Sequence, residues 1–155
     1  MDSPAFRSST AADADELFGV WRRSVDATHG FVSARDLEHI ARLVRDQYLP
    51  TAELTVACDD SGRALAFMGM TRNEIDALFV DGNRRGEGLG RALVERAKAA
   101  WPDGLTVEVN EQNSEAIGFY ERLGFRTVSR LPTDHQGRPY PLLVMAWPDR
   151  KAPPD

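Results

Sequence analysis

The sequence has little of what marks secreted or membrane proteins. It contains a single cysteine, Cys58, so no internal disulfide is possible, which suits a reducing compartment. It lacks the run of about eighteen apolar residues that a membrane-spanning helix needs. Residues 1–16 are polar and acidic, without the apolar core of a secretory signal. We therefore expect a cytoplasmic protein.

Basic residues are also in the minority. There are 19 Lys and Arg against 24 Asp and Glu, and the net charge is -5, so we do not expect nucleic acid as a partner. No His, Cys and carboxylate cluster has metal-ligand spacing, and no serine lies in a nucleophile elbow. We expect no metal. Arginines at 84, 85 and 91 still allow a local anion site on this acidic chain.

Hydrophobic periodicity predicts a single α/β domain (α+β) over residues 1–155, with a mixed sheet of about seven strands and four helices. Strands 74–80 and 105–110 flank a crossover helix, so they should be adjacent and parallel. The predicted strands are 6–10, 54–58, 63–70, 74–80, 105–110, 125–131 and 141–147. The predicted helices are 11–28, 33–48, 86–100 and 114–123.

A glycine-rich turn lies between the strand at 74–80 and the next helix. Its glycines, at positions 86, 88 and 90, leave backbone N–H groups uncovered, and the following helix points its positive end toward them. This arrangement favours an anion site, the alternative being a flexible connection beside surface arginines. The spacing is neither a Rossmann fingerprint nor a P-loop, since no Lys-Ser/Thr follows the glycines.

A second motif covers the helix at 114–123. Asn113, Ala116, Ile117 and Tyr120 fall on one helical face, and Gly124 follows the helix as its C′ residue. Three residues of this motif also have an ordinary structural explanation: Asn113 is a good N-cap, and Phe119 and Tyr120 are typical core residues. The motif gains weight from its position one strand after the glycine turn.

Together the two motifs resemble the GNAT acetyltransferases. Arg85-x-x-Gly88-x-Gly90 is similar to the coenzyme A signature of that family, and the segment from Asn113 to Phe125 matches its Asn/Tyr signature without a gap. Further segments, among them 21–31, 109–113 and 137–143, resemble the YjaB group of bacterial GNAT proteins over nearly the whole chain. The resemblance implies the GNAT fold and acetyl-coenzyme A (acetyl-CoA) as cosubstrate.

The resemblance also implies which residues bind the cofactor. Backbone groups at the end of strand 74–80 would hold the pantetheine arm, an amide near Phe79 or Val80 would face the thioester oxygen, and the glycine turn would bind the pyrophosphate. The residues implied are Leu78, Phe79, Val80, Arg85, Gly86, Glu87, Gly88, Leu89, Gly90, Arg91, Asn113, Ala116, Phe119 and Tyr120.

The implied reaction is direct attack of a primary amine on the acetyl thioester in a ternary complex. The amine belongs to a small molecule, a lysine or an N-terminus. A lysine-like amine is neutral at pH 7 about one time in 2,500, a penalty of about 4.6 kcal/mol. We expect Asp76 to act as base through water, with Glu74 and Glu108 as rivals, and Tyr120 to meet the leaving thiolate.

The acceptor pocket is expected between the first two helices and the loop Pro132 to Pro139. Candidate substrate-binding residues are Trp21, Thr28, His29, Phe31 and Asn110, whereas His39 and His135 look like surface residues. The alternative function is a non-catalytic module that senses acyl-CoA. The partner is thus an amine of unknown identity, and the protein is expected to be a monomer or a homodimer.

Overall fold

The computed structural model describes residues 4–148 and has a mixed seven-stranded sheet with four α-helices. The strands are β1 Ala5–Ser8, β2 Leu54–Cys58, β3 Ala64–Thr71, β4 Glu74–Val80, β5 Leu105–Asn110, β6 Arg126–Leu131 and β7 Leu142–Trp147. The helices are α1 Ala14–Thr28, α2 Ala34–Leu43, α3 Leu89–Ala100 and α4 Ser114–Arg122. The strand order across the sheet is β1-β2-β3-β4-β5-β7-β6.

The chain divides into two compact units by its internal contacts. Among residues 4–148, the first contains 4–70 and 76–95, and the second contains 71–75 and 96–148. No helix among residues 4–148 is both long enough and apolar enough to cross a bilayer.

In the first unit, β2 pairs with β1 and β3 in antiparallel register, and α1 supplies a buried stripe. The predicted core residues of α1 are all buried: Leu17, Val20, Trp21, Ser24 and Val25. The apolar members of that stripe share one hydrophobic cluster with β2 and β3, which includes Val56 and Phe67. Helical spacing of apolar residues therefore located this core correctly.

In the second unit, β5 has partners on both sides. It pairs with β4 in parallel at Glu74↔Thr106 and Ile75↔Val107, as predicted, and with β7 in antiparallel register. Its residues alternate between the two faces, because successive side chains of a strand point in opposite directions. Leu105, Val107 and Val109 are buried, whereas Thr106, Glu108 and Asn110 are half-buried.

Helix boundaries differ from the sequence expectation at three places. The first helix is preceded by a short 3-10 helix, Ala11–Asp13, and the second ends in a π-helical turn, Val44–Tyr48. Helix α3 begins at Leu89 instead of Gly86. The reason is the backbone at Gly86 (φ 85°) and Gly88 (φ 82°), which lies outside the right-handed helical region and keeps both residues in the turn.

Candidate functional site

The end of β4 is anchored to α1 by a buried carboxylate and a close backbone approach. Asp81, 3% exposed, accepts hydrogen bonds from the backbone N–H of Asn83 at 3.0 Å and from Arg23 Nε at 2.9 Å. At Gly82, an added Cβ would lie 2.5 Å from the carbonyl oxygen of Arg23. Only glycine fits there without displacing backbone, so this contact sets where the next turn begins.

Asp81 is also held in its ionised form. Burial by itself would raise the pKa of this carboxyl, but the hydrogen bonds from Arg23 and from the Asn83 amide outweigh it and leave the pKa below its ordinary value. The Arg23 guanidinium makes a second contact with the carboxylate, in which Nη2 lies 2.9 Å from Oδ2 of Asp81. The strand end is therefore fixed by a paired charge at neutral pH.

The glycine turn presents an open stretch of backbone. A Cβ added at Gly86 or Gly88 would meet nothing within 4 Å, so no neighbouring group covers these positions. Arg84, Arg85 and Arg91 are exposed, and Arg84 forms an ion pair with Glu87 at 3.5 Å. The first N–H groups of a helix have no acceptor within that helix. The start of α3 therefore offers donors and positive charge, which fits a diphosphate.

The last three residues of β4, 78–80, lie before this turn, and their backbone is better placed to contact a ligand than the packed side chain of Phe79. Leu78, Phe79 and Val80 are half-buried. The ring of Phe79 packs against Phe67 at a centroid distance of 5.6 Å and edge-on against Trp21 at 6.5 Å. Because the side chain of Phe79 packs against the core of the first unit, only its peptide group is available to contact a ligand.

Helix α4 begins with a side-chain cap. Asn113, 9% exposed, accepts a hydrogen bond from the backbone N–H of Ala116 at 3.1 Å, so its N-cap role is observed. Its own N–H donates to the carbonyl of Asn110 at 2.9 Å, which ties the helix to the end of β5. Ala116 and Phe119 are half-buried on the helix.

Helix α4 ends in a Schellman motif that fixes Tyr120. The N–H of Phe125 donates to the carbonyl of Tyr120, and the N–H of Gly124 donates to that of Glu121, both at 3.0 Å. Gly124 has φ 95°, as its predicted C′ position requires. The chain reversal brings the Phe125 ring to 5.2 Å from the Tyr120 ring, edge-on. The spacing Tyr-x-x-x-Gly-Phe therefore encodes a turn that holds the tyrosine ring.

The phenol of Tyr120 keeps its proton. The residue is 6% exposed, and burial raises the pKa of its hydroxyl well above the ordinary value. A second aromatic contact, to Phe119 at 5.0 Å, restricts the ring further. At neutral pH this group can donate a hydrogen bond, and it cannot act as a phenolate base.

Among the carboxylates considered as bases, Glu108 has a hydrogen-bond partner that the sequence did not indicate. Glu108 Oε2 lies 2.5 Å from Nε2 of His135, in the loop before β7. Glu108 raises the pKa of the His135 imidazole through that hydrogen bond and through its charge, and Asp134 and Glu74 add to the effect. His135 is exposed, as predicted, but its contact with Glu108, 27 positions away, is not indicated by any local sequence pattern. Asp76 is exposed on β4.

The residues predicted to bind the acceptor are placed in different environments. Thr28, His29 and Phe31 come together at the end of α1: Thr28 Oγ1 lies 2.7 Å from His29 Nδ1, and the rings of His29 and Phe31 are 5.4 Å apart. Trp21 is 3% exposed in the core of the first unit, and Asn110 is half-buried in β5. Among residues 4–148, no group of three or more His, Cys, Asp or Glu side chains is placed to hold a metal ion.

A family model, the sequences of known relatives and a solved structure all indicate the same family. A family model described as an acetyltransferase (GNAT) domain matches residues 50–127. The peptidyl-lysine N-acetyltransferase YjaB of Salmonella typhimurium is 45% identical, over 92% of this chain and 97% of its own. Its namesake in Escherichia coli is 44% identical, over 92% and 96% respectively. The solution structure of apo-form YjaB from Escherichia coli superposes with a TM-score of 0.89 at 43% identity, covering 94% and 98%.

Replacing Gly124 with alanine should destabilise the protein by about 1–2 kcal/mol, because a Cβ disfavours the positive φ. The added Cβ would also lie 3.1 Å from Trp147 Cδ1. Gly30→Ala is the control, since a Cβ there meets nothing within 4 Å and its φ is not in the strained range. Urea unfolding at neutral pH measures both variants. Equal midpoints for the two would contradict the assigned role of the turn.

Proposed function

The chain belongs to the GNAT family of acetyltransferases, and from that premise we propose that it transfers the acetyl group of acetyl-CoA to lysine side chains of proteins. The acetyl transfer to an amine follows from the family and from the close relatives. The choice of peptidyl-lysine is our proposal. The observation that carries it is the likeness, along almost the whole length of both chains, to relatives whose names specify that acceptor.

Acetyl-CoA supplies an activated acetyl thioester. We propose that the exposed amides and arginines from Arg85 to Arg91 bind its diphosphate, since the glycine turn is open and the start of α3 is rich in donors. The peptide groups of Leu78, Phe79 and Val80 are proposed to bind the pantetheine arm and the thioester oxygen. On α4, Asn113, Ala116 and Phe119 are proposed to contact the same cosubstrate, with the capped first turn of the helix fixing their positions.

We propose that Tyr120 stabilises the departing sulfur. A phenol transfers its proton to a thiolate only uphill, by about 2 kcal/mol at ordinary pKa values. The raised pKa of the buried Tyr120 increases this difference. The hydroxyl therefore acts as a hydrogen-bond donor to developing negative charge, with proton transfer late in the reaction.

For the acceptor side we propose Asp76 as the base, acting through water. It is exposed on β4, so water can reach its carboxylate. The carboxylate of its rival Glu108 is hydrogen-bonded to His135. Glu74, Glu108 and Asp134 all raise the pKa of His135, and Glu108 and Asp134 are paired with His135 and Arg138 respectively. We propose that the carboxylate charge left uncompensated there attracts a cationic lysine.

An acceptor panel tests the proposal directly. The purified protein is given acetyl-CoA and a peptide with a blocked N-terminus and one lysine, and thiol release is followed together with the mass of the peptide. We expect acetylation of that peptide and none of the same peptide with arginine in place of lysine. A polyamine, free amino acids and a peptide with a free N-terminus form the comparison arms. Faster acetylation of one of these than of the lysine peptide would overturn the lysine assignment.

Replacing Gly88 with aspartate should weaken coenzyme A binding on the order of 10- to 100-fold, because it adds negative charge where the diphosphate binds. Gly62→Asp is the matched control: Gly62 has φ 84° against 82° at Gly88, and both positions are open. Backbone strain and added charge are thus equal in the two variants. Isothermal titration calorimetry with coenzyme A gives the affinities. Arg85→Glu should act in the same direction as Gly88→Asp, and equal affinities for the two glycine variants would remove the diphosphate from this turn.

Removing the hydroxyl of Tyr120 should lower turnover on the order of 10- to 100-fold and leave coenzyme A affinity nearly unchanged, since the hydrogen bond forms with charge that develops during the reaction. Tyr140→Phe serves as the control, because Tyr140 is the other buried tyrosine of the second unit. Steady-state kinetics and calorimetry separate the two effects. Normal turnover in Tyr120→Phe would show that its ring alone matters.

A further inference from the structure

We propose that His29 binds the acceptor nitrogen through a lone pair on Nε2, and that Thr28 is the positioning residue that leaves that lone pair available. The inference deepens the proposed function, on which it rests, by assigning the group that receives an N–H of the incoming amine. It is carried by the contacts at the end of α1, where the Thr28 hydroxyl, with one proton, lies within hydrogen-bond distance of both Ser24 and His29.

The hydroxyl of Thr28 has two polar neighbours, the carbonyl of Ser24 and the ring of His29. It donates to the backbone carbonyl of Ser24 at 3.0 Å, a bond that threonine commonly makes in the last turns of a helix. A hydroxyl has one proton to donate. With that proton directed at Ser24, the Thr28 oxygen meets its other neighbour, His29 Nδ1 at 2.7 Å, as an acceptor.

The position of the proton on the His29 imidazole follows from its contact with Thr28. The nitrogen facing a hydroxyl lone pair must carry a proton, so Nδ1 is the N–H of His29. A neutral imidazole has a single N–H, and its other nitrogen is an acceptor. The chain from Ser24 through Thr28 therefore leaves Nε2 with a lone pair. A hydrogen bond made by one ring nitrogen fixes the chemistry of the other in the same way at metal and catalytic sites.

A ligand can reach Nε2 of His29. The Nδ1 contact is the side-chain hydrogen bond that His29 makes among residues 4–148, and no fully buried side-chain nitrogen or oxygen in that part of the chain lacks a partner. Nε2 is therefore open to a ligand. The ring of Phe31, at 5.4 Å, covers part of the imidazole and limits its rotation.

The charge state agrees with this role. Burial lowers the pKa of the His29 imidazole, and no neighbouring charged group contributes to the shift. The ring consequently stays neutral to lower pH than an ordinary histidine. When it is protonated, Nε2 gains a hydrogen, loses its lone pair and becomes a cation that repels an ammonium ion. Acceptor binding should weaken as the pH falls through the pKa of His29.

The proton balance of the reaction is compatible with this contact. The acceptor ammonium loses one proton to the base, and its nitrogen then forms the amide bond as the carbon–sulfur bond breaks. The second proton released from nitrogen neutralises the thiolate. His29 takes no proton permanently: it accepts a hydrogen bond that orients the nitrogen.

Nuclear magnetic resonance tests the tautomer without any substrate. Long-range proton–nitrogen spectra of the protein labelled with nitrogen-15, at pH 7, report which ring nitrogen of each histidine is protonated, and loss of signals in His29→Asn assigns them. We expect Nδ1–H in the wild type and in Thr28→Ser, which keeps the hydroxyl. Thr28→Val keeps the branched shape but not the oxygen, and it should shift the ring toward Nε2–H. An Nε2–H ring in the wild type, or no change in Thr28→Val, would refute the proposal.

Kinetics test the contact with the acceptor. Asparagine can replace the Nδ1 side of the ring but cannot reach the place of Nε2, so His29→Asn should raise KM for the acceptor about tenfold or more and leave coenzyme A affinity unchanged. It should also abolish the rise of KM at acid pH. His39→Asn, on the exposed face of α2, is the matched control. An unchanged KM in His29→Asn would overturn the assignment.

Failure of this inference is distinguishable from failure of the lysine proposal. If the wild type acetylates another amine better than a lysine peptide, the acceptor class is wrong, and the same variants are then measured with that amine. The tautomer spectra are independent of the acceptor. Failure of the inference itself is seen as a wrong tautomer or an unchanged KM with whichever amine is the substrate.

Discussion

The site depends on one backbone constraint: positive φ at glycines that bracket its helices. Gly86 and Gly88 hold the chain out of helical geometry until Leu89, so α3 begins beside an open turn. Gly124 ends α4 in the opposite sense, by reversing the chain after Leu123. A side chain disfavours this backbone region, and glycine does not. The open turn before α3 and the fixed ring of Tyr120 therefore both depend on glycine at these positions.

Burial then decides which groups are charged. Tyr120 is buried and His29 is half-buried, and burial is the cause of both pKa shifts, so the phenol keeps its proton and the imidazole stays neutral to lower pH than usual. Asp81 is buried too, but Arg23 pairs with it and it remains ionised. The same physical effect thus produces two neutral groups with reactive atoms and one charged anchor, and hydrogen-bond partners make the difference.

Much of this follows from sequence. The stripe of α1, the parallel contact of β4 with β5, and the C′ role of Gly124 are local patterns with a period or a fixed spacing, and the structure confirms them. The start of α3 was predicted three residues early because helix propensity does not reveal the sign of φ at a glycine. The contact between Glu108 and His135 links a strand to a loop. Such pairs depend on the folded chain, and local spacing carries no information about them.

Acetylating a lysine creates a conflict between capture and reaction. Negative groups near an acceptor site attract an ammonium ion, but they also stabilise its charged form and add to the penalty of about 4.6 kcal/mol for removing a proton at pH 7. A neutral acceptor atom avoids part of this conflict, because it binds an N–H of the amine whether or not the nitrogen is charged and adds no net charge. At Glu108, the hydrogen bond to His135 and the raised pKa of that imidazole offset part of the negative charge of the carboxylate.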